Sequence, residues 1–280
     1  MSQFVEMGDI LVASEFWPVL QKAGLTSFEA FMDFSGGQRI VHKRGRSVFR
    51  FEIGERAFYL KRNFVHPVEL WKKLSRGKLP PRGALEEWKN ILAVASAGVP
   101  TVRPVVFGER TFLGMERISF TVTEELYGAR PLDEIVRDRF RNSGQFMEKR
   151  TLIAKMAELA RCLHHAGMNH QDFYLNHFFL GQGGELYLLD LQRVQRRSRV
   201  PGRYKVKDLG QLNYSALYYG GFTRTDRLRF LLRYLDRKFL SREDKRLARQ
   251  IIDKTARIAR HDVKLTARRR KRGELPPAAQ

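Results

Sequence analysis

The stretch His170-Gln171-Asp172-Phe173-Tyr174-Leu175-Asn176-His177 places a carboxylate between two imidazoles within eight residues. It runs into Phe178-Phe179-Leu180, a Gly181-Gln182-Gly183-Gly184 turn, and then Leu186-Tyr187-Leu188-Leu189 and Asp190. Two short apolar runs around a glycine-rich turn predict an antiparallel hairpin. The start of the first strand then lies beside the end of the second, which brings the Asp172/His177 loop next to Asp190. Two carboxylates and an imidazole at the open end of a hairpin suit a divalent cation and the proton of a hydroxyl group. Each piece alone is weak, because His-x-Asp triplets arise by chance and an Asp after a strand is commonly a turn former.

The order of residues along the chain sharpens the chemistry. Phosphoryl transfer needs a cation on the nucleotide phosphates, a carboxylate to hold that cation, a base for the acceptor hydroxyl, and carboxylates for magnesium. The chain offers Lys61, a glutamate on the helix that follows, then Asp172, then Asp190. Of the two candidate glutamates, Glu87 is followed at i+4 and i+7 by Ile91 and Val94, whereas Glu86 shares its side with Lys89, Asn90 and Ala93. A charge on a buried stripe needs a partner, and Lys61 is the expected one. The alternative is that Glu87 only borders the stripe.

The elements that must position these groups are legible in outline. Residues 1–36 read as an irregular or helical lead-in with Phe4, Phe16, Trp17, Phe28, Phe31 and Phe34 available for packing, broken by Gly36-Gly37. Alternating runs follow at 38–43, 47–53 and 56–62, with Phe49, Phe51 and Ile53 on one face and Arg50 and Glu52 on the other. Gly54-Glu55 is the turn between the last two runs, and Lys61 falls near the end of a third strand. Pro80-Pro81-Arg82-Gly83 reads as a loop, 84–97 as a helix closed by Gly98 and Pro100, and 102–107 and 119–123 as strands. Glu124-Glu125-Leu126-Tyr127-Gly128 reads as a connector, after which Pro131 opens a short helix. Residues 151–166 form a helix with Leu152, Met156, Leu159 and Leu163 in one stripe, ended by Gly167. A strand-rich first half and a helical second half predict an α+β fold in two lobes.

Composition narrows the function classes. The 280 residues carry 52 Lys plus Arg against 30 Asp plus Glu, a net charge of +22, with 43% hydrophobic residues, enough for a real core. Cys162 is the one cysteine, so no internal disulfide forms, and no cysteine zinc cage is available. The opening residues lack the basic and apolar regions of a secretory signal, and no apolar run approaches the roughly 20 residues of a spanning helix. These features lead to the expectation of a soluble intracellular protein. The charge predicts an anionic partner without choosing among nucleic acid, membrane and acidic ligand. Zinc-finger spacing, an RNP-like strand and a helix-turn-helix pattern are all missing, which disfavours nucleic acid. The block Arg268-Arg269-Arg270-Lys271-Arg272 reads either as a frayed, solvated tail or as a contact for something anionic.

The stretches AFYLKR around Lys61, ALEEW around Glu87, AGMNHQDFYLNHFFL, LYLLDLQRVQRRSRVP and RYKVKDLGQL together resemble the protein-kinase-like superfamily. Within it, they resemble the lipopolysaccharide core heptose(I) kinase family of Gram-negative bacteria, the Kdo/WaaP-type lipopolysaccharide kinases. The likeness runs from about Gly37 to Leu240. It implies a kinase N-lobe over 37–124, a hinge at 125–128 and a C-lobe over 129–267, between the 1–36 lead-in and a 268–280 basic tail. It implies ATP and Mg2+ as cofactors and Asp172 as catalytic base. Asp190 becomes a metal ligand, Lys61 the phosphate contact, and Glu87 its ion-pair partner. The backbone of Glu125, Leu126 and Tyr127 would meet adenine. Asp208 is implied to support the catalytic loop, with an N-cap role as its alternative.

Several positions depart from the general kinase pattern. His177 stands where a metal-binding Asn is usual, with Asn176 just before it, and is read as a second metal residue. The phosphate loop His42-Lys43-Arg44-Gly45-Arg46-Ser47 has one glycine, so Arg44 and neighbouring cations replace backbone amide contacts beside Gly45. Asp190-Leu191-Gln192 lacks the flexible glycine that follows this aspartate in most kinases. Gln171 replaces an Arg that reads activation-loop phosphorylation, so no such switch is expected, and His170 is read as a packing residue.

Among the acceptors used on this scaffold, cationic alcohols fit poorly with +22, whereas lipopolysaccharide inner core and lipid A carry carboxylates and phosphates. The expected reaction is phosphorylation of an inner-core sugar hydroxyl, that of heptose I, at the cytoplasmic face of the inner membrane. Ser241-Arg242-Glu243-Asp244 is a capping box opening a basic amphipathic helix with Leu247, Ile251 and Ile258 on one side. That helix either lies on the anionic membrane surface or packs as an ordinary helix. An acidic protein partner is a further expectation. The rivals are a kinase for another acceptor (a protein Tyr or another sugar) and a catalytically dead basic scaffold or nucleic-acid binder.

Overall fold

The computed structural model describes residues 3–43, 45–64, 75, 83–112, 115–140, 146–272 and 274. The chain divides into two compact units: Met1–Gly128 with Asp190–Gln192, and Ala129–Leu189 with Arg193–Gln280. The first holds the large sheet and the second most of the helix, the α+β distribution expected from the sequence.

The first unit is built on seven antiparallel strands: β1 (Phe4–Met7), β2 (Ile10–Ala13), β3 (Gln38–Lys43), β4 (Arg46–Ile53), β5 (Arg56–Phe64), β6 (Pro104–Phe112) and β7 (Met115–Glu124). Their order across the sheet is β1-β2-β6-β7-β5-β4-β3. Helices α1 (Trp17–Lys22) and α2 (Phe28–Asp33) supply Leu20, Phe28 and Phe31 to a core that also buries Phe16, Phe58, Leu60, Phe120 and Val122. The lead-in therefore differs from its expected irregular or helical form at its start. Residues 4–13 form a hairpin, turned at Gly8 with φ 59, whose second strand pairs with β6. Four-residue strands are too short for alternation to register, and it is pairing with β6 that makes them strands.

Strand β5 shows the two-residue period plainly. Phe58, Leu60 and Arg62 are buried on one face, while Tyr59 and Lys61 point to the other. The strand runs to Phe64, so Lys61 stands inside it, opposite Val48 of β4 and Thr121 of β7. Helix α3 (Gly83–Ser96) buries Ala84, Glu87, Trp88, Ile91 and Val94, placing Glu87 on the apolar stripe rather than at its border. Apart from Gly83, which opens this helix, the expected loop at residues 80–83 lies outside the described residues.

The second unit begins with β8 (Arg130–Pro131) and α4 (Leu132–Ile135), with Pro131 as the N-cap residue. Helix α5 (Phe146–His165) buries Leu152, Met156, Leu159 and Leu163 as one stripe. Gly167 ends it at φ 75, where an added Cβ would sit 2.0 Å from the Arg197 carbonyl oxygen, so only glycine fits. Strands β9 (Met168–Asn169), β10 (Phe178–Leu180), β11 (Leu186–Leu188) and β12 (Gln195–Arg196) follow, β9 pairing with β12 and β10 with β11. Helices α6 (Gly202–Tyr219), α7 (Arg224–Leu235) and α8 (Arg242–Lys271) complete the unit.

Helix α8 opens with the expected capping box between Ser241 and Asp244 and continues through Lys271, four residues into the segment read as a tail. Its Ile251 is buried, and Thr255 accepts from Asn213 of α6 and donates to Gly210 of α6. The apolar side of α8 thus packs against its own unit, leaving the basic side outward. Among the described residues no helix is long and apolar enough to cross a membrane.

Candidate active site

In the sheet unit, the ammonium of Lys61 forms an ion pair with Glu87 Oε1. Glu87 is 2% exposed, and its Oε2 is buried without a hydrogen-bond partner. Removing a carboxylate from water this completely is costly without a counter-charge, so strand and helix together fix the lysine. The short segment Asp190–Gln192 belongs to the same unit. Asn90, one turn after Glu87 on α3, donates to the Leu191 carbonyl at 2.8 Å, and Arg46 of β4 donates to Gln192 Oε1 at 3.0 Å. Asp190 itself is exposed and takes the left-handed φ of 57. A non-glycine residue there is uncommon, and such positions concentrate where a side chain is aimed for function.

The expected hinge residues divide their roles. The Glu125 carboxylate accepts from Arg50 Nη2 at 2.7 Å and from the Tyr59 hydroxyl at 2.9 Å, and its N–H donates to the Ala57 carbonyl. The Arg50 hydrogen bond holds the Glu125 carboxyl below its ordinary value. Leu126 is half-buried and Tyr127 exposed. Gly45 takes φ 82, and its carbonyl accepts from the Phe64 N–H, closing the β4–β5 edge. Arg44 lies outside the described residues, as do the side chains of His42 and Lys43.

In the helical unit, the loop from His170 to His177 is held from beneath by one face of α6. Asp208, Gln211 and Ser215, at helical spacing, are all buried. Asp208 accepts the N–H groups of His170 at 2.6 Å and Gln171 at 3.0 Å. Gln211 accepts from the Phe173 N–H and donates to the Gln171 carbonyl, while Ser215 accepts from the Leu175 N–H. Asp208 sits in mid-helix, which removes the N-cap alternative. Gln171 is held at φ 72, in the left-handed range that non-glycine residues rarely adopt.

His170 is wholly buried, with its Nε2 at 2.9 Å from the Leu189 carbonyl and its ring against Phe173. The Leu189 N–H donates to the His177 carbonyl, so the hairpin register extends one pair past Phe178↔Leu188, and Asp190 is the next residue in the chain. The His177 ring lies 5.8 Å from that of His170. The Asp172 carboxylate accepts from Arg193 Nη1 at 2.8 and 2.7 Å.

Arg193, Asn90, Gln211 and Ser215 are the residues sequence reasoning missed. The helical spacing of Gln211 and Ser215 with Asp208 was the available signal for two of them; Arg193 carried none. Among the described residues no three His, Cys, Asp or Glu side chains form a metal cage. Magnesium carried in by nucleotide phosphates needs only one or two protein carboxylates, and an exposed Asp190 fits that requirement. The Lys61–Glu87 pair likewise fits a phosphate contact, being a fixed cation with the lysine still partly open to solvent.

Residues 37–234 match the lipopolysaccharide kinase (Kdo/WaaP) family. A lipopolysaccharide core heptose(I) kinase WaaP of Pseudomonas aeruginosa is 34% identical over 260 residues, which is 90% of this chain and 94% of the relative. A protein of the same description from Escherichia coli K12 is 35% identical over 209 residues, 71% of this chain and 78% of the relative. A solved structure described as WaaP in complex with acyl carrier protein matches with a TM-score of 0.71 at 30% identity. It covers 91% of this chain and 98% of the other.

Proposed function

The chain belongs to the lipopolysaccharide kinase (Kdo/WaaP) family, and from that premise we propose how its residues carry γ-phosphate from ATP to a heptose hydroxyl of the lipopolysaccharide inner core. It is a phosphotransferase of the protein-kinase-like fold, and its acceptor is the inner-core heptose. Lys61, fixed by Glu87, binds the α- and β-phosphates, and the backbone of Glu125 to Tyr127 receives adenine with Gly45 shaping the phosphate loop. Asp190 would hold magnesium, and His177 is a second candidate ligand. Bound magnesium supplies neutralisation of the charge that develops on the phosphates. Asp172 accepts the heptose hydroxyl proton and aligns the oxygen with the γ-phosphorus, while Arg193 fixes the carboxylate that does so.

The observation that carries this reading is the Asp172 loop. Four of its backbone N–H groups are held by buried side chains of α6, an investment in the geometry of one partly exposed carboxylate. A dead scaffold would have no use for that geometry. The basic outer side of α8, ending in Arg268 to Lys271, suits peripheral attachment to the cytoplasmic face of the inner membrane. The net charge of +22 suits an acidic protein partner, and a relative has been solved with an acyl carrier protein.

The test is transfer of labelled γ-phosphate from ATP to dephosphorylated inner-core lipopolysaccharide, with Asp172→Ala and Asp190→Ala alongside. Label on the heptose should fall by roughly 10²–10⁴-fold in Asp172→Ala through loss of the base. An unchanged rate would remove Asp172 from the role. Label on a protein tyrosine or another sugar instead would move the acceptor.

A further inference from the structure

Helices α6 and α8 approach closely at Gly210, where an added Cβ would meet Lys254 Cγ at 2.7 Å. Beside that crossing, Gly202, Arg203, Tyr204, Val206, Lys207, Gln250, Lys254 and Arg257 enclose a groove of about 570 Å³. Four of these residues are cations and none is acidic. Among the described residues, none of the four is in an ion pair, although this chain neutralises many of its other arginines. Two of the guanidiniums nearby are pre-oriented: Arg197 and Arg203 lie over the Tyr204 ring at 4.2 and 4.8 Å, and Arg203 also donates to its hydroxyl at 3.2 Å. No side chain caps the N-terminus of α6, and its first turn carries no acid, so its dipole adds positive potential at the same end.

The groove is wired to the catalytic loop. Lys207 donates to Gln171 Oε1 at 2.8 Å, and Gln171 directly precedes Asp172. Burial pushes the Lys207 ammonium down, and the charges of Arg193 and Lys254 add to that, although Asp208 and Asp172 oppose them. The groove thus concentrates cations closely enough to disfavour one another, a cost that a bound anion relieves. Carboxylates and phosphates match arginine forks in geometry as well as charge.

We propose that this groove binds the acidic groups of the acceptor saccharide, placing an anionic oligosaccharide so that the neighbouring neutral sugar presents its hydroxyl to Asp172. The proposal rests on the kinase reading above and names the feature of the acceptor that the enzyme selects. Carboxylates of acidic sugars and phosphates of the lipid-linked sugars share this chemistry, and the test separates them.

The experiment uses the full chain and the double variant Lys254→Met/Arg257→Gln, in which Met keeps the stem that covers Gly210. Acceptors are delipidated, dephosphorylated core oligosaccharide that retains its carboxylates, the same material after carboxyl reduction, and a phosphorylated core in which the lipid-linked sugars keep their phosphates while the heptose hydroxyl is free. The variant should raise KM for the carboxylate-bearing acceptor about tenfold, the order of one or two charge-assisted hydrogen bonds. Its kcat should stay within about twofold and its KM for ATP unchanged, and Lys254→Arg/Arg257→Lys should restore acceptor KM. Carboxyl-reduced acceptor should be poor for wild type and indifferent to the variant; if only the phosphorylated core responds, phosphate is the group bound.

An unchanged acceptor KM for every acceptor overturns the proposal while leaving the kinase intact. Direct titration of oligosaccharide without ATP separates the two readings. Binding that the variant loses, without any transfer in wild type, keeps the groove and removes the kinase assignment. Wild-type protein that binds no acidic oligosaccharide, or that binds RNA homopolymer more tightly through the same two residues, removes the groove.

Discussion

Both carboxylate oxygens of Asp172 accept hydrogen bonds from a single nitrogen of Arg193, at 2.8 and 2.7 Å. Arg193 ends the short helical turn Leu191–Arg193, three residues after Asp190 in the chain. The pair is open to solvent, with the Arg193 side chain 60% exposed, so it contributes at most about 1 kcal/mol to stability. On the proposed role of Asp172 as base, the value of the pair is orientation, since a carboxylate free to rotate spends less time aligned with a hydroxyl. Arg193→Ala should lower kcat about tenfold, leave KM for ATP unchanged, and move the unfolding midpoint by no more than a degree or two. A large drop in thermal stability with unchanged kcat would make Arg193 a structural residue instead.

The Lys61–Glu87 pair has the opposite balance. Glu87 is buried, so Lys61→Met should strand a carboxylate and destabilise the fold by roughly 2–4 kcal/mol, besides abolishing ATP binding. Lys61→Met/Glu87→Met removes both charges and should recover most of the stability but none of the nucleotide affinity. Denaturant unfolding and titration of a fluorescent ATP analogue on the four proteins of the cycle provide the check. Additive stability losses would mean that the two residues do not interact.

What the sequence exposed and what it hid follow from the range of the interactions. Alternation in β4 and β5 was readable because each strand has one face against the core, and the Glu87 stripe because a helix repeats within two turns. The open end of the hairpin was readable from its turn. The β1–β2 hairpin was not, because its stability comes from β6, nearly a hundred residues away in the chain. Gln211 and Ser215 are polar residues of α6 that nonetheless face inward, because the loop above them brings N–H groups that need acceptors. Arg193 was one cation among 52 Lys and Arg, and no local pattern separates the one that finds Asp172.

Acid should act on the sheet unit through Glu125. Its carboxyl is held below the ordinary 4.5 by the hydrogen bond from Arg50 and, further, by that from Tyr59. A depressed folded value gives stability that is fully present above the unfolded value and is lost as pH falls through the folded one. Glu125→Gln should therefore be less stable than wild type at pH 7, and the gap should close as pH falls from the ordinary 4.5 through the lowered folded value. Thermal midpoints measured across that range test this, and a gap that stays constant with pH would assign the loss to packing rather than charge.

Asp208 offers the sharpest separation of loop geometry from chemistry. Its two oxygens accept the N–H groups of His170 and Gln171, and its Oδ2 also lies 3.3 Å from His164 Nε2. In Asp208→Asn one of those acceptors becomes a donor facing an N–H, a buried mismatch worth about 2–3 kcal/mol. The strain at Gln171, held at φ 72, persists only while its surroundings enforce it. Once released, Gln171 should relax to an ordinary φ and carry Asp172 away from its position, lowering kcat roughly 10²-fold. KM for ATP should not change, because Lys61 and Glu87 lie in the other unit. Adding Gln171→Gly, which tolerates positive φ at no steric cost, should restore part of kcat without restoring stability. If the glycine leaves kcat where Asp208→Asn put it, Asp208 acts on the reaction by some route other than the shape of the loop.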